Sequence, residues 1–511
     1  MSRYRARPKR SNTGWVAGII VTAALVAMVA IVVHLRGRTD EPFESPVATS
    51  PEPSLPPEVA AATKPATRPA PVAPPATKPA ATSPAVELVT TSPAIGPVVA
   101  STAAAPVTTS PAVELRAAKP AAPPAPVHEP IFGLPAYASE HFLIYSNASA
   151  EGVADAAARL ENMYAEFRRD FADVYEPSDT RAKAFFIGNK DAFEAAGGVP
   201  GPPGAFRVIG DSVGPRLLVR HGGDNMYIEI TQLVQHEGWH QFCWDHIRQR
   251  APIWVDEGLG YYYSNAIWTG DLTIHGGINP SVYRNLSAAT SNFMPVGDLV
   301  GLNDTSWQFW QRQVGFWPPY MEVWSIIYFL KHADGGQHEP LLRQYIADVA
   351  AGADTSASLG AIVALQDRWM GWLNSFKPTA THVKFFEAIA ATLTGHLARA
   401  QINGQTFESI DEFLTAAKAG KLQLGPIGSD TWLPRSIMGE CVRYINMFGK
   451  GYVARGDGPF EMVLEYVDGV PAARVKLGKV TLDIRATATV IDGRVVSVKI
   501  EHLSQAHPDM Q

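Results

Sequence analysis

The sequence predicts an α+β protein set behind one membrane-spanning helix and a disordered tether, and three observations carry that reading. Between residues 130 and 378, short stretches of alternating apolar and polar residues are interleaved with longer stretches of helical period. After residue 379, helical segments give way to four strand-like segments with Asp-Gly turns among them. Ahead of residue 130 stand an apolar run and then a segment of Pro, Ala, Thr, Ser and Val, a composition that sustains neither a helix nor a core.

Residues 1–14 are basic, with Arg3, Arg5, Arg7, Lys9 and Arg10, and the stretch from Trp15 to Leu35 is apolar. About twenty apolar residues suffice to cross a bilayer. A cleaved signal peptide is the competing reading, but no small-x-small site follows the run before Arg36 and Arg38, so residues 15–35 are expected to be an uncleaved anchor. The positive charges ahead of the span place the N-terminus in the cytoplasm and all that follows in a periplasmic or extracellular space at the cell membrane. Residues 36–129 are expected to be a disordered Pro/Ala-rich linker. Its repeats, TKPA at Thr63 and Thr77 and TSPAVEL at Thr82 and Thr109, read as duplication within a spacer.

Residues 130–378 read as one domain. HFLIYSN from His141 has strand alternation, and a helix is expected from Ser149 to Phe171 with Val153, Leu160, Met163 and Phe167 on its apolar side. AFFIG from Ala184 is a second strand, a short helix follows near Asp191, and Gly197 to Gly204 must be a loop. Further strands are expected at Phe206–Ile209, Arg216–Val219 and Met226–Ile230. The chain up to Phe293 reads as loop-like. The aromatic stretch Trp307, Phe309, Trp310, Phe316 and Trp317 reads as core or domain contact. Pro318-Pro319 then stops the chain, and YMEVWSIIYFLKH forms an apolar helix with Tyr320 in its first turn. Residues 379–511 read as a small α+β module ending in an antiparallel sheet, with hairpin turns at Asp468-Gly469 and Asp492-Gly493 and no motif that carries chemistry.

Chemistry is concentrated in QHEGWHQF. The run ITQLVQHEGWHQFCWDHI has Ile230, Leu233, Val234, Trp239, Phe242 and Ile247 near helical spacing, with Thr231 as a candidate cap. On such a helix His236 and His240 lie one turn apart on one face and can reach a single cation, while Glu237 beside them can face a water on it. Pro252 breaks the chain, and WVDEGLGYYY opens a second helix that can return Glu257, seventeen positions beyond His240, as a third ligand. Asp256 competes with it for that role. Two imidazoles, a ligating carboxylate and another carboxylate to accept a proton are what zinc-assisted hydrolysis requires.

HEGWH followed by W-V-D-E-G-L-G resembles the gluzincin branch of the peptidase MA clan, and more closely its bacterial peptidase MA-like families of unknown function. The resemblance implies a zincin-like metallopeptidase domain, a small mixed sheet ahead of a helical active-site and C-terminal subdomain. It implies Zn²⁺ held by His236, His240 and Glu257, with Glu237 as general base, and it favours Glu257 over Asp256 because the ligand directly precedes the Gly. Gluzincins commonly donate a hydrogen bond to the oxyanion from a later helix, and Tyr320 is the residue chosen for that role, with simple packing at a helix start as the alternative. The last strand of the sheet would form a lip along which an extended peptide adds, and the choice among the three candidates stays open. Position 261, where thermolysin-like enzymes carry a supporting Asp, is Tyr261, and the aminopeptidases' amine-binding strand has no counterpart, which points to an endopeptidase. The expected function is therefore hydrolysis of peptide or protein substrates by a membrane-anchored zinc metallopeptidase among cell-envelope partners. The rival is a non-catalytic envelope module that binds peptide or cell-wall polymer on the same fold.

A formal charge of −6 over 511 residues gives no reason to expect a nucleic-acid partner. Cys243 and Cys441 are the only cysteines; a disulfide is permitted outside the cytoplasm, but Cys243 falls on the metal helix, which favours two separate buried thiols. His221 and His246 are read as packing or surface histidines.

Overall fold

The structure, a computed structural model, describes residues 128–198, 204–221, 228–247, 251–278, 280–315, 317–376, 379–427, 429, 431–454, 456, 458–478 and 482–504. The basic tail, the apolar run 15–35 and the Pro/Ala-rich segment up to 127 lie outside them, as does Phe316. Among the described residues the protein is α+β, as expected, but the membrane-spanning helix of the predicted architecture has no counterpart there. No described helix is long and apolar enough to cross a membrane. The longest, Thr379–Ile402, is interrupted by Lys384, Glu387, His396 and Arg399.

The sheet of the first part forms from β1 (His128–Ile131), β2 (Leu134–Ala138), β3 (Phe142–Ser146), β4 (Ala182–Ile187), β5 (Gly204–Arg207) and β6 (Arg216–Arg220). Its spatial order is β1-β2-β3-β4-β6-β5, with β3, β4 and β6 parallel and the other pairs antiparallel. The period of two divides its side chains between two cores. Phe142, Ile144, Ala184, Phe186, Leu217 and Val219 face one side. Tyr145, Phe185, Ile187 and Leu218 face the other, against Phe193 of α2 (Lys190–Ala195). The first side is covered by α1 (Ala150–Asp170), capped by the Ser149 hydroxyl on the Gly152 N–H, and by α3 (Ile228–His246). Since α3 already includes residues 228–230, the strand expected there is corrected to helix, local β propensity having yielded to tertiary packing. Thr231 is not a cap: it lies inside the helix, its hydroxyl directed at Glu440 at 3.4 Å.

Pro252 precedes α4 (Ile253–Ser264), which packs on α3. Downstream, the stretch read as loop-like contains a small hairpin, β7 (Ile267–Trp268) and β8 (Thr273–Ile274), and α5 (Pro280–Ala289). The aromatic stretch is helical too, as α6 (Val296–Leu299) and α7 (Asp304–Val314). Periodicity was hard to see there because these elements are short. Pro318-Pro319 starts the next helix where a chain break was expected: α8 (Trp317–His332) carries both prolines in its first turn, where their missing N–H groups cost nothing. Helices α9 (Glu339–Ala351), α10 (Ser356–Val363) and α11 (Gln366–Ser375) follow.

The C-terminal part lays α12 (Thr379–Ile402) across an antiparallel sheet of β9 (Phe460–Val467), β10 (Val470–Leu477), β11 (Leu482–Ile491) and β12 (Arg494–His502). Helices α13 (Ile410–Lys418), α14 (Arg435–Tyr444) and α15 (Gly451–Ala454) complete it, the last two joined by a π-helical turn over Ile445–Lys450. Both Asp-Gly turns have the left-handed pair of residues that a tight hairpin needs, with φ of 51° and 80° at Asp468-Gly469 and 51° and 70° at Asp492-Gly493.

Each part has its own core, yet the described residues of both parts belong to one compact unit. Ile267 and Ile274 of the β7-β8 hairpin insert into the C-terminal core. Two buried arginines join the parts. Arg399 of α12 makes a paired contact with Asp271 at 2.6 and 2.9 Å. Arg159 of α1 bonds Asp155 at 2.9 Å and both Ser436 and Glu440 of α14 at 2.7 Å. Because Arg399 and Asp271 are only 5% and 4% exposed, Arg399→Met strands a buried carboxylate and should lower stability by about 3–5 kcal/mol in urea unfolding. Glu322 of α8 supplies a pH test. It is fully buried, accepts the Met294 N–H on both oxygens, and burial pushes its carboxyl up to about 9 against the effect of that N–H. A raised folded-state value means that its contribution is complete below the unfolded value near 4.5 and is lost as pH rises toward 9. Glu322→Gln should therefore flatten the decline in melting temperature across that window.

Candidate metal centre

Helix α3 presents His236 and His240 from successive turns, and α4 crosses it to deliver Glu257. Close packing of the two helices depends on Gly260, where an added Cβ would lie 3.1 Å from the His236 ring atoms Cε1 and Nδ1. The facing atoms form a triangle. Nε2 of His236 and Nε2 of His240 are 3.1 Å apart, and Oε2 of Glu257 lies 3.5 and 3.7 Å from them. An ion at the centre of such a triangle would be about 2.0 Å from each corner, within the range of zinc bonds to nitrogen and carboxylate oxygen.

The donor set fits a dication on two further grounds. The Glu257 Oε2 is buried and makes no hydrogen bond, an arrangement that is costly for a carboxylate unless a cation meets it. The centre also carries surplus negative charge. Burial by itself lowers the pKa of His240, but Asp256 and then Glu257 and Glu237 outweigh it and push the imidazole up to about 10.

Asp256, the rival for the third-ligand role, instead supports one of the histidines. Its Oδ1 accepts from His240 Nδ1 at 2.9 Å, which fixes the tautomer and directs the Nε2 lone pair at the triangle. Tyr261 stands with its ring 6.2 Å from both His236 and Tyr320.

Glu237 is 3% exposed, and its Oε2 accepts the backbone N–H of Phe206 at 2.8 Å. The other oxygen, Oε1, has no hydrogen-bond partner. Phe206 belongs to β5, the end strand of the sheet. It sits close to α3 because Gly204 has no side chain; a Cβ there would come within 2.3 Å of Leu233. This backbone contact was not legible in the sequence, where nothing marks which N–H will meet a carboxylate.

Tyr320 is buried in the first turn of α8. Burial, and next the nearby Glu257 carboxylate and also that of Glu237, hold its hydroxyl protonated well above the usual tyrosine range, while Gln311 and Trp307 act in the opposite sense. The structure thus brings all five predicted site residues to one locality. The excluded histidines stay out of it: His246 bonds the Glu176 carbonyl at 2.9 Å, and His221 lies beside Gly188. Cys243 and Cys441 are separate buried thiols. Compared with known proteins, the chain matches no protein-family model, no curated protein and no solved structure.

Asp256→Ala, with the ligands intact, should weaken metal binding about 10–100-fold in a chelator competition. Unchanged affinity would remove Asp256 from the support of His240.

Proposed function

We propose that this chain is a zinc-dependent hydrolase of peptide bonds, an endopeptidase by class. The observation that carries the reading is the triangle of His236, His240 and Glu257 atoms with Glu237 next to it, held by one oxygen and open at the other. Bound zinc supplies Lewis acidity and brings the pKa of a water to about 7.

The chain's own residues divide the remaining work. Phe206 fixes Oε2 of Glu237, so Oε1 is the atom that accepts the proton from the attacking water and passes it to the leaving amine. Tyr320, kept protonated, donates to the oxyanion that develops on the scissile carbonyl. The β5 edge offers backbone groups to an extended peptide, which aligns its scissile bond with Glu237.

The test is zinc stoichiometry and cleavage of a quenched peptide library by the full chain, beside Glu237→Gln. One zinc per chain is expected in both proteins, with kcat reduced by about 10²–10⁴-fold in the variant. Undiminished cleavage by Glu237→Gln would sink the assignment, and failure to bind zinc would remove the site altogether.

A further inference from the structure

A row of three cations crosses the end of the sheet and stops at its last strand. Arg207 of β5 stands directly opposite Arg216 of β6, and Lys183 of β4 comes one residue before the Ala184–Leu217 pair, which sets it beside Arg216. Like charges facing one another across a strand pair weaken the pairing unless something balances them. Arg216 is balanced: it is fully buried and donates to Asp211, to the Gly214 carbonyl at 3.1 Å and to the Ala196 carbonyl at 3.2 Å. The Lys183 ammonium meets the Val213 carbonyl at 2.6 Å. Arg207 has no such provision. It is partly buried, and its Nη1 is shut off from water without a hydrogen-bond partner. Burial and then the charge of Arg216 lower its pKa, and no carboxylate acts in the other direction.

The next position in that row is the one an added strand would fill. β5 is the end strand, and the Phe206 N–H points to Glu237, so its unpaired edge lies beside the candidate centre. Side chains opposite one another on paired strands have Cβ atoms about 5 Å apart, within easy reach of a guanidinium and a carboxylate. The other face of β5 has different chemistry. Gly204 and Phe206 turn toward α3, where the Phe206 ring lies 6.4 Å from that of Trp244 and both rings are partly exposed. Successive residues of an extended peptide alternate between the two faces.

We propose that the β5 edge selects acidic peptides: Arg207 pairs with an Asp or Glu side chain of the substrate, and the neighbouring residue, an apolar one, packs against Phe206 and Trp244. The inference rests on the hydrolase reading above and names its substrate class. Because Arg207 follows the residue that holds Glu237, the selected acid falls within about two residues of the scissile bond.

The experiment uses the full zinc-loaded chain and a quenched peptide library in which Glu, Gln and Lys are exchanged one position at a time in an apolar background. At one position near the scissile bond Glu should exceed Gln by about 10–100-fold in kcat/KM, carried by KM, with Lys below both. In Arg207→Gln that ratio should fall to about one, and in Arg207→Glu the order should invert, Lys overtaking Glu. Ratios taken within one protein do not depend on how much of it is active, and both changes relieve the contact with Arg216, so neither should lower the melting temperature. The Glu and Gln peptides are also titrated by fluorescence anisotropy into zinc-loaded Glu237→Gln, which leaves them uncut.

Cleavage without a Glu-over-Gln ratio at any position, or a ratio that survives Arg207→Gln, would overturn the inference and leave the hydrolase reading standing. Glu-selective binding that is lost with Arg207→Gln, in the absence of any cleavage by the native chain, would sink the hydrolase reading and keep the acidic-peptide contact. Neither cleavage nor Glu-selective binding would overturn both.

Discussion

The burial of two imidazoles and two carboxylates with their lone pairs converging is the constraint around which this protein is arranged. His236, Glu237 and Glu257 are almost wholly removed from water, and the Glu257 oxygen between the imidazoles has no hydrogen-bond donor. Carboxylates seldom tolerate such surroundings unless a cation balances them. The high pKa of His240 expresses the same imbalance in a different form: three carboxylates surround the ring and call for positive charge.

The neighbouring elements can be understood as answers to that demand. Helix α4 approaches α3 closely enough for Glu257 to reach the imidazoles only because Gly260 leaves room beside the His236 ring. Strand β5 approaches α3 through Gly204 and uses a main-chain N–H to hold Glu237 by one oxygen. A backbone donor on a sheet edge is a rigid support, since moving it would disturb the pairing of β5 with β6. Helix α8 then closes the site with Tyr320, backed by the aromatic wall of α7. The elements that bear these side chains are all regular secondary structure, which suits chemistry that depends on fixed distances.

The C-terminal part participates in this arrangement through α14. Glu440 lies at a junction where Arg159 of α1 and Thr231 of α3 meet it, and Thr231 is five residues ahead of the first imidazole on the same helix. The second junction, Arg399 with Asp271, anchors the hairpin that leaves α4. Both helices of the candidate centre are thus braced from the C-terminal part through buried charge. This explains how a segment without a chemical motif of its own can matter to the site.

The sequence by itself determined the local parts. Helical spacing placed His236 and His240 on one face, Pro252 marked the start of the helix bearing Glu257, and Asp-Gly pairs marked both C-terminal hairpins, because each of these signals depends on a residue's own backbone preferences or on a period of a few residues. Only the tertiary structure decided the rest. It placed β5 at the end of the sheet beside Glu237, set Asp256 on His240 Nδ1, and packed Tyr320 against Trp307. It also turned residues 228–230 into helix and the region read as loop-like into β7, β8 and α5. These outcomes depend on which surfaces meet across long stretches of chain, on a missing Cβ at one crossing and a main-chain N–H at another, and no short-range pattern in the residues encodes them.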